Sequence, residues 1–196
     1  MRRRVRFLVP LVLLCLSACG PGFASSRFEA SIEEWTIDGN LDDRTPTYVE
    51  TGGSPGGHIC ITDANNPAGT VYFVAPPRYL GNVERQVYGA RFTFDMKTSG
   101  QFMTLQGRDV LLNGSGLSAS LDLRAIPSLD WTPFSVRIDA NNSGWVDDSP
   151  ENRGQPASEE LLRTILRNLN SVRIRAEYLM SSRSTTCLDN VAFGTP

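Results

Sequence analysis

Beyond Phe28 the apolar side chains of this chain recur mostly at every second position, and that period constrains the fold more than any other feature. In "GARFTFDMK", Phe92, Phe94 and Met96 alternate with Arg91, Thr93, Asp95 and Lys97. Successive side chains of a strand point to opposite faces, so this spacing sets one apolar face against a core and one polar face in water. Runs of the same kind recur in "HICIT", "TVYFVA", "DVLLN", "LSASLDL", "FSVRID", "SVRIRAEY" and "CLDNVAF", separated by Gly, Pro, Asn and Asp clusters that favour turns. The pattern predicts an all-β chain folded as an antiparallel β-sandwich. One segment departs from it. "SEELLRTILRNL" puts Leu161, Leu162, Ile165, Leu166 and Leu169 on one helical face, with Ser158 as N-cap and Glu159 and Glu160 in the first turn. It predicts a single short helix packed on the sandwich.

The amino terminus sets the compartment. Arg2, Arg3, Arg4 and Arg6 precede the apolar run "FLVPLVLLCLSAC", which is shorter than the roughly 20 residues of a spanning helix and reads as a secretory signal. It closes on Leu16, Ser17, Ala18 and Cys19, which resembles the lipobox of bacterial lipoproteins. Residues 1–18 are therefore expected to be removed as a lipoprotein signal peptide, and Cys19 to be acylated. Residues 19–27 would tether a single domain spanning 28–196 to a membrane of the bacterial cell envelope, the outer membrane in a Gram-negative cell. Cleavage leaves 15 basic against 21 acidic residues, a formal charge of −6 that argues against nucleic acid as a partner.

The same cleavage makes the cysteines informative. Cys15 leaves with the signal and Cys19 is taken by lipid, which leaves Cys60 and Cys187. In an oxidising compartment two thiols suggest one disulfide; the alternative is two separate buried thiols serving as small core hydrophobes.

Enzymatic motifs weaken under inspection. "GGSPG" fits the G-x-S-x-G nucleophile elbow, but the residue after Ser54 is Pro55, which has no N–H for an oxyanion hole, and a strand follows where a helix should. "DANNSG" places Asp139, Asn141, Ser143 and Gly144 like the opening of an EF-hand loop. The twelfth position is Pro150 instead of glutamate, so a turn is the better reading. The carboxylate pairs Asp42–Asp43, Asp147–Asp148 and Glu159–Glu160 lie in polar segments or at a helix start and are expected on solvated surface. One histidine, His58, and two bonded cysteines leave too few soft ligands for a zinc centre.

Taken in order, "EEWTIDG", "PTYVETGGSPGGHICITDA", "VYFVAPPRYLG", "YGARFTFDMK", "DVLLNGSGL", "WTPFSVRIDANNSGW", "SEELLRTILRNLNSVRIRAEY" and "LDNVAF" resemble the laminin B domain, also called laminin IV type A. The resemblance implies a jelly-roll β-sandwich similar to galactose-binding and carbohydrate-binding modules, with no catalytic residues. In that wider jelly-roll group a "FE" near the first strand and an Asp in the last often share a structural calcium ion. Glu29, after Phe28, and Asp189, in "LDNV", match those positions. Carbonyls of the glycine-rich loop between Glu50 and Gly57 would complete the shell. Alternatively, Asp189 accepts hydrogen bonds from neighbouring backbone or from an arginine.

The implied function is a lipid-anchored, noncatalytic binding or adhesion module at the cell surface. A carbohydrate ligand would use aromatic faces, for which Trp35, Trp131, Trp145, Tyr72 and Tyr79 are available unless the core claims them. An extracellular or envelope protein as ligand, and an unrecognised glycan hydrolase, are the other classes the sequence leaves open.

Overall fold

A computed structural model describes residues 23–39, 41, 44–63, 70–99, 107–141, 143–178 and 184–195. Cys19 and the Asp42–Asp43 pair lie outside them. In chain order the strands are β1 (Ala24–Ser26), β2 (Thr36–Asp38), β3 (Thr47–Val49), β4 (His58–Asp63), β5 (Tyr72–Val74), β6 (Arg91–Thr98), β7 (Val110–Gly114), β8 (Leu117–Leu121), β9 (Thr132–Arg137), β10 (Val146–Asp147), β11 (Gln155–Pro156), β12 (Leu169–Arg175) and β13 (Ser184–Thr195). A single helical turn, α1 (Glu84–Val87), precedes β6, and α2 (Glu159–Arg167) precedes β12.

The strands form two sheets. One runs β3-β4-β13-β6-β9, with β1 also pairing with β13; the other runs β11-β10-β8-β7-β12-β5-β2. Every pairing between named strands is antiparallel among the described residues. This is the jelly-roll β-sandwich that the alternation and the resemblance imply. Ile59, Ile61, Phe92, Phe94, Met96, Phe134 and Leu188 of the first sheet face Ile37, Phe73, Leu112, Leu121, Val172 and Ile174 of the second, all buried. Each fully buried aliphatic or aromatic side chain contributes about 1.5–3 kcal/mol, so the interior between the sheets dominates the stability.

The last strand lies in the middle of its sheet, with β6 on one side and β4 then β1 on the other. Its alternation would fail beyond Asp189 without a bulge. Asn190 takes a positive φ of 49° there, and the register shifts between Asp189 and Ala192. The extra residue lets Leu188, Val191 and Phe193 all point inward. Asn tolerates this left-handed backbone better than most residues.

The helix is capped by Ser158, whose hydroxyl accepts from the Leu161 amide, and it buries Leu161, Leu162, Ile165 and Leu166. Two details differ from the sequence reading. Leu169 is buried from the start of β12 instead of from the helix, because the chain turns out of helical geometry at Asn168. Residues 24–26, expected to belong to a tether, already add to the sheet as β1. Its polar sequence hides the pattern, because the buried Ser26 hydroxyl is satisfied by Trp35 Nε1 and the Tyr79 hydroxyl, each at 2.9 Å. No helix of the described residues is long and apolar enough to cross a membrane.

Candidate functional site

The outer face of the first sheet carries a closed polar cluster. Cys60, Cys187 and Lys97 form one cross-strand row, with Cys187 paired to Cys60 on one side and to Lys97 on the other. Asp189 pairs with Asp95 in the next row, and His58 stands two residues before Cys60 on the same face of β4. The two cysteines form the expected disulfide, with Cα atoms 4.0 Å apart, slightly closer than the usual lower bound of about 4.4 Å.

The loop 50–57 lies over this face and is pinned to it. The Ser54 amide donates to Asp189 Oδ2 at 2.6 Å and the Asn190 amide to Asp189 Oδ1 at 2.7 Å. Asn190 Nδ2 donates both to the Ser54 carbonyl and to Asp95 Oδ2. The Gly52 carbonyl accepts from Lys97 Nζ at 3.0 Å and from Trp131 Nε1 at 2.9 Å. Trp131 then stands edge-on to His58, with Lys97 Nζ 4.4 Å from its ring centroid.

The serine of "GGSPG" therefore serves through its backbone. Asp189 is fully buried; burial pushes its carboxyl above the ordinary value, the two amides pull it back, and the carboxylates of Asp95 and Glu33 push it up again. Burial, and then the Lys97 charge, lowers the titration of His58.

Oxygen atoms converge where the loop meets the terminal strands. A Cβ added at Gly53 would lie 2.6 Å from the Gly57 carbonyl oxygen, and 2.7 Å from both the Gly56 carbonyl oxygen and Asp189 Oδ2. A side chain at Gly57 would collide with the Phe28 carbonyl. One carboxylate and several carbonyls in a small space form the donor set of a hard cation. Glu29 lies in this neighbourhood on exposed backbone, and its carbonyl accepts from the Tyr48 hydroxyl at 3.0 Å. Glu33, which the sequence reading did not single out, spends its carboxylate on the Phe28 and Arg27 amides and on Arg78.

The outer face of the second sheet is built differently. Arg173 meets Asp38 at 2.7 Å and Arg175 meets Asp109 at 3.5 Å, while Arg108 pairs with Asp148 and donates to the Ser120 hydroxyl at 3.2 Å. Tyr72 lies in register between Asp38 and Arg175, half-buried. Each guanidinium has its own carboxylate, so the face has little net charge, but Arg175, Asp109 and Asp148 are buried and only Arg173, Asp38, Arg108 and Tyr72 present polar groups to solvent. Burial raises the Asp109 carboxyl, which the Leu123 amide and the Arg175 charge pull back down. The expectation that Asp147 and Asp148 are solvated is wrong. Both are buried, Asp147 accepting from the Ser149 amide at 2.8 Å and Asp148 meeting Arg108 from a distant segment. Asp139 does make the predicted turn, accepting from the Asn141 amide at 2.9 Å.

Of the five aromatics available to a sugar, Trp35, Tyr79 and Trp145 belong to the core. Trp131 is committed to the loop over the first sheet, which leaves Tyr72 on the second.

Comparison with known proteins agrees with this architecture. The family model described as Laminin B (Domain IV) matches residues 72–195. Laminin subunit gamma-1 of Xenopus tropicalis is 28% identical over 193 residues, covering 93% of this chain and 11% of the relative. The chain thus spans about a tenth of that relative's length. Among solved structures, the L4b domain of human laminin alpha-2 superposes with a TM-score of 0.62 at 15% identity, covering 86% of this chain and 97% of that one. A family 11 carbohydrate-binding module from Clostridium thermocellum, in complex with a beta-1,3-1,4-mixed-linked tetrasaccharide, gives 0.54 at 14% identity, covering 86% and 92%. At these identities the two likenesses show the fold alone.

Proposed function

The chain belongs to the laminin B (domain IV) family, and we propose from that membership that it is a noncatalytic module binding a neutral polysaccharide on the outer face of its second sheet. The observation that carries this reading is the part-exposed Arg173–Asp38 pair and the Arg108 guanidinium beside Tyr72, backed by the buried Arg175–Asp109 pair and by Asp148. A sugar hydroxyl donates and accepts at once, so it matches paired donors and acceptors held in place, and a pyranose ring adds apolar contact to an aromatic face. Self-neutralised pairs offer a polyanion no excess charge. A glycan array probed with the soluble domain tests the reading. Retention on neutral polysaccharides and none on polyuronates or sulfated chains is expected; the reverse preference, or no retention at all, contradicts it.

The module is held at a bacterial cell envelope by acyl chains on Cys19. The lipobox and the short apolar run of the sequence support this. A clickable palmitate analogue should label the wild type and spare Cys19→Ser, and equal labelling of both contradicts the anchor.

A structural calcium ion would be held where Asp189 and the loop carbonyls converge, with Glu29, in the bend after β1, as a second carboxylate. Bound there, the ion supplies charge that offsets a buried carboxylate and ties both termini of the domain to the loop 50–57. Calcium should then raise the melting temperature of the chelated domain, and Glu29→Ala or Asp189→Ala should remove the gain.

A further inference from the structure

We propose that the same domain, once its disulfide is reduced, holds one Cu(I) ion between Cys60, Cys187 and His58. The inference is independent of the glycan reading, since it concerns the opposite face. Cys60 and Cys187 are directly opposite one another across β4 and β13. His58 lies on the same face of β4, and one ring nitrogen of His58 and the two sulfurs all lie within 4.8 Å of one another. Small side-chain rotations bring three atoms so placed into a single coordination shell, where bonds to sulfur and imidazole nitrogen run about 2.0–2.3 Å.

A second observation points to a ligand. His58 is only 4% exposed, and its Nδ1 has no hydrogen-bond partner among the described residues. A buried ring nitrogen left this way is uncommon enough to call for a reason. Trp131 closes the ring over from above, and Cys60 and Cys187 are 6% and 5% exposed, so water is largely excluded.

The donor set selects the metal. Two thiolates and one imidazole are soft ligands that favour Cu(I), whereas a structural zinc site requires four protein ligands. Cu(I) with two thiolates carries one net negative charge, and Lys97, the register partner of Cys187 on β6, stands beside it. In the oxidised domain both sulfurs are used by the S–S bond, so the site opens only on reduction. That step takes two electrons and two protons from a dithiol, which leaves as its own disulfide, and the two cysteine thiols then release their protons to solvent as the metal binds.

The test uses the domain reduced with a phosphine, desalted without oxygen, and titrated with Cu(I) against a coloured chelator while circular dichroism follows the fold. The reduced domain is expected to keep its β spectrum and take up a single equivalent, and the oxidised domain none. His58→Ala and His58→Gln should each weaken binding by at least about tenfold, as expected when a ligand is lost. Having both variants guards against one that fails to fold. Reduced protein that binds no Cu(I), that binds it equally well in the His58 variants, or that binds it only after losing the β spectrum overturns the proposal.

Discussion

The outer faces of the two sheets start from the same alternation and end in opposite states. On the first, the loop 50–57 folds down, and its backbone, with Trp131, engages most of the polar side chains that a strand would otherwise show to water: Asp189, Asn190 and Lys97. On the second, the Glu177 carbonyl and the Tyr178 ring close over Arg175, while Arg173 with Asp38, Arg108 and Tyr72 stay part-exposed. A covered face joins distant parts of the chain and acts on stability. A face that leaves Arg173, Asp38 and Tyr72 part-exposed is the one proposed to act on recognition. The difference teaches that polar residues on a sheet exterior acquire a role from what the connecting loops do.

The comparison breaks first at the disulfide. Cys60→Ala with Cys187→Ala opens a loop of sequence separation 127, which the chain-entropy model values at about 4–5 kcal/mol. Thermal or denaturant unfolding should register most of that loss, while glycan affinity at a temperature where the variant stays folded should hold. A comparable loss of affinity would show that the faces are not separate.

Next comes Gly53→Ala, whose methyl group would press on Asp189 Oδ2 and two carbonyl oxygens. Forcing the loop off its amide–carboxylate bonds should cost about 1–3 kcal/mol, the penalty for leaving a buried polar group unsatisfied, again without weakening the ligand. Unchanged unfolding would mean the loop does not hold the strands.

The smallest effect concerns Asp109, buried beside Arg175 at the second sheet. Burial raises its carboxyl in the folded state, so the folded domain holds that proton more tightly than the unfolded chain. Its contribution to stability therefore rises as pH falls from above the folded value toward the unfolded one near 3.9. Asp109→Asn should flatten the stability profile in that window and leave the rest of the curve alone; a wild-type curve already matching the variant there contradicts the assignment.

How much of this was legible beforehand follows from where each signal is stored. Local period gave β4 to β9, β12, β13 and the face of α2, because alternation is a property of neighbours in sequence, whereas β1, β2, β3, β10 and β11 are too short to show a period. Cys60 with Cys187 was legible by counting, since two cysteines remain when Cys15 and Cys19 are read as parts of a lipoprotein signal. Asp189 stood out as a carboxylate in an apolar strand, and the structure answers with the backbone donors considered as its alternative, the amides of Ser54 and Asn190.

The burial of Asp148 was illegible, because its partner Arg108 precedes β7 in the chain and pairing of that kind leaves no local mark. Trp131 was visible only as an aromatic, since its fate depends on a loop 79 residues earlier. The ion pairs on the second sheet were hidden for the same reason, their arginines reading as ordinary solvated positions of alternating strands.

One titration bears most directly on the division of labour between the faces. The soluble domain, Tyr72→Ala with Arg173→Ala on the second sheet, and Lys97→Ala on the first are each titrated calorimetrically with the best neutral polysaccharide from the array, all shown folded. Losing one aromatic stack and one anchored donor pair should together remove about 2 kcal/mol, or roughly thirtyfold in affinity. Lys97→Ala should bind as the wild type does. Wild-type affinity in the Tyr72 and Arg173 variant, or its loss in Lys97→Ala alone, contradicts the account.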